Sequence, residues 1–341
     1  MYEKMGIGVM DVKNEKIVDF FREKRNYYNI SNGIKRVVVS IFRLLLLISI
    51  GYVIIYPLMY MITNSIRTGQ SYFDPTITWI TTKTTVSNFV YAMEALSYFP
   101  SLKNTLIYEI IPAIIQLGSC AVAAYGFARF EFKGKGLLTI VLFITILLPV
   151  QASMLPSYIN YSHIDILGIF EKIYRATGTD LRINLINTPL VFYLPALFGV
   201  GLKSGIIIYI YIQFFKGLPK ELEEAAWIDG SGPIRTFLVI AIPSSSVVIL
   251  TNLIFSIIWH WNDFFQAAMY LKERSNFTLA VQLSEIQNTL DSMRLSLNGD
   301  TPATVAIIMA ACLLYVLPIL VMYMCLQTKF VKSIDRVGIT G

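Results

Sequence analysis

Glu224-Ala225-Ala226-Trp227-Ile228-Asp229-Gly230, followed nine residues later by Ile240-Ala241-Ile242-Pro243, is a polar loop between two strongly apolar segments. What encloses it decides the fold. Apolar runs near the ~20 residues needed to cross a bilayer recur along the chain. The sequence has 341 residues, of which 55% are hydrophobic and 15% charged. Its mean hydropathy is +0.60. A soluble domain carries charge on about a quarter of its residues. The fold class is therefore all-α, a polytopic membrane protein.

Six transmembrane helices are expected, over residues 41–61, 104–127, 137–158, within 189–215, 236–259 and 302–327. The fourth is the weakest. Lys203 falls inside it, after Pro195 and Gly201, and the run from Ser204 to Phe215 gives only ~18 Å of helix. Either the helix starts near Pro189 and buries Lys203, or Lys203 snorkels to the outer interface and the span is kinked. An intramembrane charge faces a cavity or a partner helix, so pathway lining and structural pairing both stand for Lys203.

Lysine and arginine set the orientation. With the N-terminus inside, segments 1–43, 128–136, 216–235 and 328–341 hold eighteen basic residues. The outer segments 62–103, 159–203 and 262–301 hold ten, although they are much longer. Both termini and the 216–235 loop are thus expected in the cytoplasm. Residues 1–35 read as a cytoplasmic extension and 36–341 as the membrane domain. The extension has no secretory-signal pattern. Ile17, Val18, Phe20 and Phe21 alternate with Lys16, Arg22, Lys24 and Arg25, which suits a basic amphipathic helix on the inner leaflet or a loosely packed tail.

Several functions are excluded. Cys120, Cys312 and Cys325 lie in apolar runs, as small core residues do. The two histidines, His163 and His260, form no metal-ligand spacing. Gly199-Val200-Gly201-Leu202-Lys203-Ser204 has no glycine before its lysine, so it is not a phosphate loop. No catalytic set, bound cofactor or metal is expected. The +6 charge has a membrane explanation, and nucleic acid is not an expected partner.

The loop itself reads as stop, restart and turn. Pro219 suits the first turn of a new helix. Glu221, Glu223 and Glu224 then lie near its positive end. Ala225 and Ala226 are strong helix formers that let another surface approach closely. Asp229-Gly230 and Gly232-Pro233 end the helix and return the chain. An ordinary amphipathic connector has the same charges and small residues.

The complete spacing, with Gly230 and Pro243 in register, resembles the Glu-Ala-Ala signature of permease subunits of ATP-binding-cassette (ABC) importers. Further blocks are similar to the carbohydrate branch of maltose type, in its shorter six-helix partner. They are Asn104-Thr105-Leu106, Ala123-Ala124-Tyr125-Gly126-Phe127-Ala128-Arg129-Phe130, Trp261-Asn262-Asp263, Phe277-Thr278-Leu279-Ala280-Val281 and Lys329-Phe330-Val331. The resemblance covers roughly residues 36–341. Ile242 stands where the signature often has leucine, and the outer segments around 172–182 and 285–301 are long.

The resemblance implies a type I ABC importer-like permease in a bacterial or archaeal plasma membrane. It implies a second permease subunit, two ABC ATPase subunits that bind ATP and Mg, and an extracellular solute-binding protein. Glu223, Glu224, Ala225, Ala226, Asp229, Gly230 and Pro243 would couple the permease to the ATPases. A sugar pathway needs aromatic faces and hydroxyl-binding polar groups. Gln151, Ser153, Asn252, Trp259, Trp261, Asn262 and Asp263 are the candidates. Interfacial anchoring explains the two tryptophans equally, helix capping explains Asn262 and Asp263, and an interhelical bond explains Asn252. An importer of another solute, such as amino acids or polyamines, and a non-transporting sensor or scaffold remain the alternatives.

Overall fold

The computed structural model describes residues 7–68, 83–165, 168–179, 181–296 and 304–338. Side chains are described for 35–68, 83–165, 168–179, 181–293 and 304–327. The face expected on Lys16–Arg25, Pro302 at the start of the last span, and Lys329-Phe330-Val331 lie wholly or by their side chains outside these ranges. The chain divides into two units, Met1–Met61 and Ile62–Gly341.

In the first unit, α1 (Ile7–Ser65 in full) is helical from Ile7 onward. The boundary expected at residue 35 falls within this continuous helix. Its apolar stretch, Lys35–Ser65, has 31 residues. At 1.5 Å per residue that is about 46 Å, longer than the ~30 Å hydrocarbon layer.

The second unit is built on α2 (Tyr98–Arg129), 32 residues long. Residues Leu106–Ile110 form a π-turn in which Ile111 N–H reaches back to Leu106 O. Pro112 follows at once. Lacking an N–H, it cannot continue the regular ladder, and the helix widens to accommodate this. The same device recurs at Phe237–Ala241, where Ile242 N–H bonds Phe237 O just before Pro243.

The expected third span is not straight. It consists of α3 (Lys135–Leu147) and α4 (Val150–Ser162), bent by 105°. Leu148 precedes Pro149 and takes an extended ψ of 127°, because the proline ring disfavours a helical residue before it. The expected fourth span is likewise two helices, α5 (Leu190–Leu197) and α6 (Ser204–Gly217). Between them Gly199 and Lys203 both have positive φ, 69° and 57°. After α7 (Lys220–Ile228) the expected fifth span comprises α8 (Pro233–Ser244) and α9 (Ser246–Trp261), bent by 78°. The last helix, α10 (Thr304–Gly338), is apolar over Thr304–Gln327. Thus, among the described residues, three continuous helices and two bent pairs are long and apolar enough to cross a membrane. Only isolated β-bridges occur among them, Arg67 with Thr84 and Ile164 with Ile183.

One core joins α2, α6 and α9. Cys120, Ala121 and Ala124 present small side chains to Ile207, Tyr211 and Phe215. Small residues at helix contacts let the backbones approach, the main route to packing in lipid. The Gly201/Gly205 pair serves the same purpose. A Cβ on Gly201 would lie 2.8 Å from Gln116 Oε1, and one on Gly205 2.7 Å from Thr145 Oγ1. A second core packs α10 against helix Ser87–Ala95 and Leu279. A third joins Phe192 with Tyr108, Tyr270 and Val281.

Candidate functional site

The loop between α6 and α8 forms a defined knob. Leu218 and Pro219 are extended, with ψ of 132° and 128°, and α7 begins at Lys220 with Glu221 and Glu223 in its first turn. The far end closes with paired bonds. Gly230 N–H donates to Trp227 O at 3.0 Å and Ser231 N–H to Ala226 O at 2.8 Å. This is a Schellman-type stop, which requires a left-handed residue between them. Gly230 supplies it at φ +81°.

Helix α7 has two unlike faces. Glu223 and Ala226, one turn apart, are buried, whereas Glu224, Ala225, Asp229 and Gly230 are exposed. Trp227 is 47% and Ile228 87% exposed. Of the two adjacent glutamates expected to serve coupling, Glu223 thus faces inward and Glu224 outward. Arg129 Nε donates to Glu223 Oε1 at 2.9 Å, with both side chains almost fully buried. The same guanidinium donates through its terminal nitrogen to Leu218 O at 2.8 Å. Ala226 is similarly an inward packing residue. Beyond the knob, Ile234, Leu238 and Val239 are exposed and line a shallow apolar depression. Pro243 is exposed on α8. Near Arg129, Lys135 holds the exposed Glu131 carboxyl below its ordinary range by a 2.8 Å hydrogen-bonded pair.

The pathway candidates do not converge. A cavity of about 370 Å³ lies among α3, α4, α5 and α6, and its lining includes Ser153, Lys203, His260 and Tyr270. Gln151, Asn252, Trp259, Trp261, Asn262 and Asp263 are not among its lining residues. Gln151 is exposed on α4. Asn252 is fully buried beside Tyr211. Trp259 stacks on Phe255 at 5.5 Å. Trp261 is buried in the core formed with α10, 5.8 Å from Tyr315. Asn262 Nδ2 donates to Ile258 O, and Asp263 Oδ1 accepts from Gln266 N–H, both capping roles. Lys203 is exposed in the turn before α6 and does not interrupt a continuous span.

Two residues escaped the sequence reading. Arg129 organises the knob, although it lies 94 positions from Glu223. Glu109 sits on the first π-turn, 1% exposed, and neither carboxylate oxygen has a hydrogen-bond partner among the described residues. Its signal was available as a lone acid inside the second apolar run, a position that lipid penalises.

The family model described as "Binding-protein-dependent transport system inner membrane component" matches residues 118–336. Protein LplC of Bacillus subtilis is 28% identical over 301 residues, covering 87% of this chain and 92% of its own. The trehalose/maltose transport system permease protein MalG of Thermococcus litoralis is 25% identical over 310 residues, covering 90% and 98%. The arabinooligosaccharides transport system permease protein AraQ of Halalkalibacterium halodurans is 24% identical over 295 residues, covering 86% and 93%. In fold, the chain is similar to one in the crystal structure of a bacterial ABC transporter involved in the import of the acidic polysaccharide alginate. The TM-score is 0.69 at 18% identity, over 86% of this chain and 96% of that one.

Proposed function

The chain belongs to the family of binding-protein-dependent transport system inner membrane components, and from that premise we propose that it carries a sugar or oligosaccharide inward. It is a membrane-embedded permease subunit of an ABC importer, not itself an enzyme. It works with a binding protein and an ATPase. The sugar class is supported by relatives whose names specify trehalose/maltose, arabinooligosaccharides and maltodextrin. We assign two permease and two ATPase subunits to the complex, with ATP and Mg held by the ATPases. Both termini and α7 are assigned to the cytoplasmic side of a bacterial or archaeal plasma membrane, following the eighteen-to-ten split of basic residues.

The observation that carries the mechanism is the two-faced α7. Its outward residues, Glu224, Ala225, Trp227 and Ile228, offer a carboxylate, a small residue and apolar surface. Such a face docks in a groove, with a basic residue opposite Glu224. Closure of the ATPases on ATP then moves α7. Coupling requires that the docked face favour one permease conformation over the other, since a contact equal in both shifts nothing. Asp229 and Gly230 set the end of the knob, and Pro243 fixes the second π-turn behind it. For the pathway, Gln151, Asn252, Trp259, Trp261, Asn262 and Asp263 remain assignments from sequence, now distributed over separate surroundings.

The test is Glu224→Lys in the reconstituted complex, at matched membrane insertion. Like charges brought together at an interface cost several kcal/mol, so ATPase co-purification and ATP-driven maltodextrin uptake should be lost. Retention of both refutes the docking role. Competition of maltotriose, arabinotriose, glutamate and spermidine for the binding protein tests the solute class.

A further inference from the structure

Arg129 is the last residue of α2, and its guanidinium ends two other elements at once. It bonds the carbonyl of Leu218, just past α6, and the carboxylate of Glu223, in the first turn of α7. One turn earlier on α2, Tyr125 packs edge-on against Phe215 of α6 at 5.6 Å. It also packs against Phe237 of α8 at 5.0 Å. Phe215 and Phe237 are themselves 6.4 Å apart. An ion pair and an aromatic trio thus fasten the ends of four helices within one turn of α2.

We infer that Arg129 and Glu223 are positioning residues that pass displacement of α7 into α2, making α2 the rod that carries it across the membrane. The inference rests on the reading of α7 as the ATPase contact. Its inward face meets Arg129 while its outward face is free to dock. From Arg129, α2 runs 32 residues to Tyr98. At its far end Asn104 Nδ2 donates to Ser275 O at 2.7 Å and to Phe277 O at 3.1 Å. Movement entering at Glu223 therefore has a packed route to the opposite end of the unit.

The choice of an ion pair is itself informative. A buried pair is weak grounds for stability, because well-packed apolar residues of similar volume often serve folding equally or better. What it adds is direction. The planar fork of arginine fixes the carboxylate and the Leu218 carbonyl in one register, whereas apolar side chains can slide past each other.

The experiment follows from that contrast. In the assembled complex, with the three native cysteines replaced by serine, a cysteine at the exposed Lys103 reports on the far end of α2. Its reaction rate with a membrane-impermeant maleimide is compared in nucleotide-free and ATP/vanadate-trapped complexes. The unaltered latch should change that rate about tenfold or more. Arg129→Met with Glu223→Met should insert and retain its ATPases while the change falls below about twofold. A wild-type change in that double variant overturns the inference. So does loss of ATPase binding, because the pair would then only present the docking face. Where the double variant fails to insert, Arg129→Lys decides. It keeps the charge and loses the fork, so switching should fall severalfold, and wild-type switching overturns the inference. Retention of ATPases by Glu224→Lys counts against the docking role alone, so the two failures are distinguishable.

Discussion

Leu279 N–H donates to the hydroxyl oxygen of Thr105 at 2.9 Å, and that hydroxyl in turn donates a hydrogen bond to Ser101 O at 2.8 Å. Thr105 and Leu279 come from two sequence blocks, Asn104-Thr105-Leu106 and Phe277–Val281, that carry the family resemblance separately. In the fold they are one joint, fully buried.

Thr105→Val keeps the shape and removes the acceptor. A buried N–H left without a partner costs about 1–3 kcal/mol. The melting temperature in detergent should fall, and Thr105→Ser should restore most of it. An unchanged melting temperature for valine would show that the joint contributes nothing.

Gly205→Val tests the close approach of α6 and α3. Its Cβ would lie 2.7 Å from Thr145 Oγ1 and 3.0 Å from Ile146 Cγ1. Overpacking of this kind costs about 1–3 kcal/mol. Gly217→Ala meets nothing within 4 Å and should stay near wild type. Equal stability of the two variants would contradict the packing argument.

Gly230→Val tests conformation without crowding. A Cβ there meets nothing within 4 Å, but φ is +81°. A left-handed backbone costs an L-residue about 1–2 kcal/mol, and more for a β-branched one. Insertion should be retained while ATPase co-purification drops severalfold. Gly230→Asn should be milder, since asparagine tolerates this region. Normal ATPase binding by the valine variant would mean that the knob does not depend on its Schellman stop.

Orientation is checked by single cysteines. Residues at Lys133 and Ser231 should react with an impermeant thiol reagent only from the cytoplasmic side. One at the exposed Lys272 should react only from outside. Reversal at any of the three would invert the assignment of α7 as well. Asn298, another outer position by sequence, lies outside the described residues.

The knob was legible because its signals are local. Pro219 starts a helix, Gly230 ends one, and their spacing fixes its length. The bends at Pro149 and Ser245 were not, because hydropathy averages over a window and proline is tolerated within membrane helices. Glu223 and Glu224 illustrate another limit. Adjacent helical residues point about 100° apart, and only Arg129, distant in sequence, determines which faces inward. The scatter of the pathway candidates has a reason that helix geometry supplies. Trp259 and Trp261 are about 200° apart around one helix. A single channel wall could not receive both, and the fold sends them to different cores.

The two helix breaks that border the 370 Å³ cavity carry a further consequence. Leu148 and Val150 flank one break, Gly199 to Lys203 form the other, and all of them line the same space. Each break frees peptide groups that hydrocarbon cannot satisfy. At about 30 Å³ per molecule in the liquid, the space has room for on the order of ten waters. Filled with water, such a space would locally reduce the insulating thickness of the subunit. Keeping the bilayer tight to protons and ions between transport cycles would then be a property of the assembled complex, whose other subunits would have to cover this notch.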